Sequence, residues 1–166
     1  MARADTTYDL ARFFTREGVA IYLAAGVGLP LLRDGHQARD HFLRAGETLG
    51  IATGVTEIMK YTIAERRPNG TDRKSMPSGH TAAAFAVATM ESQFHPKEAP
   101  LWYTGAALIA WSRVDLREHH TYDVVAGALI GYGIARLELS QKHGLILTPW
   151  IGHDSGSAGV SLTGTF

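Results

Sequence analysis

Three short segments, Lys60 to Pro68 (KYTIAERRP), Pro77 to His80 (PSGH) and Ser112 to Asp123 (SRVDLREHHTYD), hold the residues best suited to chemistry. They supply the cations Lys60, Arg67 and Arg113, the imidazoles of His80 and His119, and the carboxylate of Asp123. Cations of this kind hold a phosphate, one histidine attacks it, and a second protonates the group that leaves. Each segment alone has a plain structural explanation: a solvated basic face, a capped turn, an ion pair on a helix. Their occurrence together and in this order points to chemistry on a phosphate ester.

The spacings say how the residues must be held. Lys60 and Arg67 are separated by nearly two turns at about 3.6 residues per turn, so both side chains leave one face of a helix. Pro68 disfavours helical geometry at Arg67, which places that guanidinium at a helix end beside a loop. Ser78 is a natural N-cap for the Ala-rich pattern that follows, and Gly79 lets the backbone come close to a ligand. Free N–H groups and the positive end of a helix dipole then make an anion site, with His80 one step away. At i,i+4 spacing, Asp123 is expected to accept one ring proton of His119 and leave the other nitrogen as a nucleophile.

A metal is not expected. His119, His120 and Asp123 are metal-capable, yet zinc needs three or four converging ligands. The sequence HHxxD lacks an i,i+4 histidine pair or cysteines, and Lys60, Arg67, Arg113 and Arg117 oppose a dication. No other cofactor is implied.

Helical patterns must carry these residues. They are expected near 8–17, 19–31, 37–66, 78–93, 100–112 and 119–140, with Gly46, Gly50 and Gly54 as potential breaks in the longest. Polar linkers fall at 69–75 and 95–99. The stretch after Gly144 changes character and reads as extended chain, a short strand or hairpin. The fold class is therefore all-α: a compact bundle of about six helices over residues 1–143, with an extended C-terminal segment, 144–166, packed on it.

Composition sets outer bounds. The 166 residues suit one domain, and 16 basic against 16 acidic residues give a net charge of zero, which announces no nucleic-acid partner. The absence of cysteine removes disulfides and thiol nucleophiles. A membrane span needs roughly 20 apolar residues, whereas the uncharged run from Gly18 to Leu32 is shorter and is broken by Pro30. Mean hydropathy of -0.05 agrees with a chain that has no transmembrane span. Gly127 and Gly131 do match the GxxxG spacing of membrane helix pairs. The Met-Ala-Arg-Ala start has no apolar h-region, so the expectation is a cytoplasmic protein or one whose leader has been removed.

The three segments resemble the signature motifs of the type 2 phosphatidic acid phosphatase (PAP2) superfamily, which also contains bacterial class A acid phosphatases and vanadium-dependent haloperoxidases. The family pattern is Lys, six residues, Arg-Pro; then Pro-Ser-Gly-His; then Ser-Arg, five residues, His, three residues, Asp. Lys60, Arg67 and Pro68, then Pro77 to His80, then Ser112, Arg113, His119 and Asp123 satisfy it throughout. The resemblance implies that His119 forms a phosphohistidine while His80 protonates the leaving oxygen and then activates water. It further implies that Lys60, Arg67, Arg113, Ser78 and the Gly79 N–H hold the phosphoryl oxygens, and that Asp123 orients His119. It implies an all-helical bundle of the acid phosphatase and haloperoxidase type.

The soluble branch of that family, usually exported to the periplasm, is the better match to such short apolar runs. The expected partner is a phosphate-ester substrate, small or lipid-linked at a membrane surface, with Phe13, Phe14, Trp102 and Trp111 as conceivable lipid contacts. Oligomeric state is left open. Alternatives are a vanadate-dependent peroxidase and a non-catalytic module that binds phosphate or a membrane surface.

Overall fold

Between His80 and Gln93 the side chains are small or apolar almost all round, and a helix of that kind belongs in an interior. In the computed structural model, which describes residues 2–141, 148–151 and 158–161, this segment is the axis of the bundle. It is α5 (Gly79–Phe94), with Ala82, Ala84, Ala86, Val87, Ala88 and Met90 fully buried. Around it lie α2 (Glu17–Gly28), α4 (Ala38–Ile63), α6 (Ala99–Asp115) and α7 (Thr121–Ser140), all in contact with it. α1 (Ala2–Thr15) packs on α6, and α3 (Pro30–Arg33) is a short connector against α4. The expected all-α bundle is thus observed, with seven helices among the described residues because the short α3 is separate.

Strands β1 (Thr148–Ile151) and β2 (Ala158–Ser161) pair antiparallel with Thr148 opposite Ser161, as the extended reading of the tail anticipated. The rest of the expected C-terminal segment lies outside the described residues.

The seam between α5 and α7 depends on glycine. A Cβ at Gly131 would lie 2.1 Å from the Ala82 carbonyl oxygen, and one at Gly127 would lie 2.4 Å from that of Ser78. The GxxxG spacing therefore serves contact within this chain, bringing α7 down on the backbone that carries the PSGH segment.

α4 does not break at Gly46, Gly50 or Gly54. Each glycine costs about 1 kcal/mol against alanine in a helix, but Ala45, Thr48, Ala52, Thr56 and Lys60 recur every three or four residues and are buried. Burial of that stripe outweighs the local preference. The helix stops at Ile63, short of the expected residue 66, because Ala64 turns into the left-handed region with φ 50°.

No helix among the described residues is long and apolar enough to cross a membrane. Of the aromatics suggested for lipid contact, Trp102 is a core residue, 6% exposed, and Phe14 packs against the same cluster of Val19, Val87 and Ile109. Phe13 is exposed and Trp111 is half-buried.

Candidate active site

All eight residues singled out from the sequence gather at one end of the bundle. Lys60 comes from the last turn of α4, Arg113 from the last turn of α6, and Gly79 and His80 from the first turn of α5. Asp123 lies in the first turn of α7, while Arg67, Ser78 and His119 sit just outside helices. Helix ends converge here, so backbone direction as well as side chains shape the field.

His119 precedes α7 rather than lying in it. Two amides, of Glu118 and His119, donate to the Arg113 carbonyl at 3.1 Å each, and this pins the turn that presents the ring. The ring is buried, 2% exposed. Its Nδ1 stands 2.7 Å from the Ser75 carbonyl oxygen, and its Nε2 stands 3.3 Å from Arg67 Nη1. A carbonyl can only accept and a guanidinium can only donate. The tautomer follows: Nδ1 carries the proton and Nε2 presents a lone pair.

Asp123 acts differently from the expectation. Its Oδ2 is 3.6 Å from His119 Nδ1, beyond hydrogen-bond reach, and accepts instead from the Ser75 hydroxyl at 2.5 Å and the His120 amide at 2.8 Å. Asp123 therefore holds Ser75, whose carbonyl holds His119. The Asp123 carbonyl also accepts from the Ser78 amide at 3.0 Å, tying the PSGH turn to α7.

The cations are placed as follows. Arg67 donates to the Glu118 carbonyl at 3.0 Å and to Asp72 at 2.8 Å. Arg113, 3% exposed, bonds the Glu118 carboxylate through Nη2, and its buried Nε has no partner among the described residues. Lys60 Nζ pairs with Glu57 at 2.5 Å and abuts α5: a Cβ at Gly79 would lie 3.0 Å from it. Ser78 takes the N-cap position of α5, but its hydroxyl is shared with Thr81 at 2.9 Å rather than with a backbone amide.

Electrostatics set the protonation of both histidines. Burial, then Arg113 and Arg67, push His119 down to about 3. Dehydration, then Arg113, Lys60 and Arg67, push His80 down to about 4. Part of the His80 ring stays open to water, so the cations are the firmer cause there. Both rings are neutral at pH 7, and His80 has no hydrogen-bond partner among the described residues.

Sequence reasoning passed over Ser75, Glu57 and Glu118. Ser75 acts through a carbonyl that any residue could supply and through a hydroxyl given to Asp123, far along the chain, a pairing that spacing alone does not announce. Glu57 was detectable as the i–3 neighbour of Lys60, and Glu118 as the neighbour of His119.

Among the described residues two groups could converge on a cation: Glu65, His120 and Asp123, and Glu91, His95 and Glu98. In the first, Asp123 Oδ2 already serves Ser75 and His120. Within the second lies the Arg33 guanidinium, 3.0 Å from Glu98 and 3.4 Å from His95. A cavity of about 280 Å³ opens beside Glu118, bounded by Tyr8, Arg12, Arg16 and Asn69. Cavities of about 510 and 520 Å³, near Arg44 and Phe94 and near Tyr22 and Trp102, include none of the eight residues.

The described helices form a bundle whose ends bring three cations around a histidine that presents a lone pair. Residues 41–146 match the model of the PAP2 superfamily, and the chain belongs to that superfamily. It is 36% identical over 97 residues to lipid A 1-phosphatase of Porphyromonas gingivalis, covering 55% of this chain and 22% of that protein. It is 39% identical over 57 residues to the bacitracin transport permease protein BcrC of Bacillus licheniformis, covering 34% of this chain and 28% of that one. The chain thus spans less than a third of either curated relative. Its fold is shared with a solved transmembrane PAP2-type phosphatidylglycerolphosphate phosphatase from Bacillus subtilis, at TM-score 0.57 and 20% identity, covering 84% of this chain and 78% of that one.

Proposed function

We propose that the chain is a metal-independent phosphatase that hydrolyses a phosphate monoester or diphosphate, preferably carried on a lipid. The observation that supports this best is the enforced tautomer of His119, whose Nε2 lone pair is held beside Arg67. In this reading Nε2 attacks phosphorus, the P–O bond to the leaving group breaks, and His80 gives that oxygen its proton. His80 then takes a proton from water, whose oxygen attacks the phosphohistidine and frees phosphate. Lys60, Arg67, Arg113, Ser78 and the Gly79 N–H hold the equatorial oxygens, where charge builds. Asp123 supports His119 through Ser75.

The lipid preference draws on the relative named a lipid A 1-phosphatase. It draws also on the surface around the site: α4 and α7, which carry Lys60 and Asp123, expose Ile58, Tyr61, Tyr122, Val125 and Leu129. Action in the periplasm belongs to the same reading and comes from the family resemblance.

The test is phosphate release, with EDTA present, from p-nitrophenyl phosphate, phosphatidic acid and an isoprenyl diphosphate, with mass spectrometry of quenched enzyme. Turnover with an acid-labile phosphoryl group on His119 is expected. Turnover that EDTA abolishes, or no release from any of the three, would sink the reading.

A pH signature accompanies it. His80 must be protonated to donate, and its free-state value of about 4 lies below the ordinary 6.5, so kcat/KM falls as pH rises above that value. Bound phosphate offsets the cations and raises His80 again, so kcat begins to fall at a higher pH than kcat/KM. Coincident alkaline limbs would count against His80 as the acid.

A further inference from the structure

Glu118 already stands where an anion would sit. Its Oε2 accepts from Arg113 Nη2 and lies 3.6 Å from Arg67 Nη1, so a single carboxylate bridges two of the cations assigned above to phosphate. Arg113 is otherwise buried with an unpartnered Nε, which leaves Glu118 as its neutralising group. The Glu118 side chain is not locked in: 31% of it is exposed, and it also lines the cavity of about 280 Å³ on the α1 side. Across that cavity are Arg12 and Arg16, exposed guanidiniums with no acidic partner among the described residues.

We propose that Glu118 is an exchangeable counter-ion of the phosphate cradle. Without substrate it holds Arg67 and Arg113 in place and screens them from each other. A phosphate dianion, with twice the charge of the carboxylate, displaces it, and Glu118 turns to Arg12 and Arg16 in the adjoining cavity. After hydrolysis its return competes with inorganic phosphate for the same two guanidiniums and hastens product release. The proposal rests on the phosphatase reading above, because it needs Arg67 and Arg113 to hold phosphate.

The sign of one change separates this role from a merely structural one. Removing a charged competitor tightens phosphate binding, whereas removing a tether that orders two arginines weakens it. Calorimetric titration of inorganic phosphate at fixed ionic strength should show Glu118→Gln binding about tenfold more tightly than wild type, the scale of one charge-assisted hydrogen bond. Product inhibition should tighten in parallel. The double change Arg12→Gln with Arg16→Gln, on exposed positions that keep the fold, should weaken phosphate binding severalfold when Glu118 is present and leave it unchanged in the Glu118→Gln background.

Unchanged or weaker phosphate binding by Glu118→Gln overturns the proposal, as does an equal effect of the arginine changes in both backgrounds. Failure of wild type and Glu118→Gln alike to bind phosphate overturns it together with the phosphatase reading, which is the outcome that distinguishes the two failures.

Discussion

His119→Ala is expected to abolish phosphate release, with a loss of about 10⁴-fold or more, and to leave phosphate binding largely intact. The expectation follows from what the ring contributes. Nε2 presents a lone pair that the structure orients, through a carbonyl on one side of the ring and a guanidinium on the other. Without it the reaction must recruit water directly, and a missing nucleophile at this scale corresponds to roughly 5 kcal/mol of barrier. The proposed cradle of Lys60, Arg67 and Arg113 remains, so an isothermal titration with phosphate should still show binding. Turnover by the alanine variant at a tenth of the wild-type rate would remove His119 from the role.

The same variant has a stability signature with a definite sign. His119 in the folded state, at about 3, lies below its ordinary value of 6.5. Between those values the unfolded chain takes up a proton that the native chain refuses, so this group costs stability as pH falls through the window. His119→Ala removes that cost. Its unfolding midpoint should therefore gain on the wild type as pH drops from 7 to 4, measured by urea denaturation.

Gly131→Val should destabilise the fold by about 3 kcal/mol, the upper end of ordinary overpacking. The first atom of any side chain there would lie 2.1 Å from the Ala82 carbonyl oxygen and 2.9 Å from the Ala86 nitrogen, both backbone atoms of α5. Neither can rotate aside, so α7 must move off α5. Because Asp123 bonds Ser75, His120 and Ser78 from the first turn of α7, activity should fall along with stability. Gly133→Ala is the natural control: nothing lies within 4 Å of a Cβ there, and that change should be neutral or stabilise by up to about 1 kcal/mol. Equal thermal midpoints for the two variants would show that the seam tolerates side chains.

Much of this was legible in the sequence, for identifiable reasons. Lys60, Arg67, Ser78, Gly79, His80, Arg113, His119 and Asp123 are chemically distinctive and were found by type and spacing. α5 announced itself by an alanine run that a surface helix would not carry. The misses share a cause: they depend on backbone geometry that residue types do not encode. His119 was expected within a helix beside Asp123, but Arg117 adopts φ 53° and the Arg113 carbonyl captures two amides, so the chain turns and re-enters the helix only after His120. Ser75 acts through its carbonyl and through a hydroxyl bond to the sequence-distant Asp123. Ala64 ends α4 by turning left-handed, ahead of the proline that sequence rules point to. Gly127 and Gly131 advertised close helix contact, and the sequence left open whether the partner helix was in another chain or, as observed, in this one.

The glycine-lined seam has a bearing on how such a protein can diverge. Where backbone rests on backbone, a disruptive change cannot be rescued by trimming a neighbouring side chain, because there is none to trim. Accepted variation is thereby steered to the outward faces of α1, α4 and α7, where Leu10, Ile58, Tyr61, Leu129 and Leu137 already meet solvent. Descendants of this chain could exchange one clientele for another by re-clothing those faces while inheriting the catalytic frame intact.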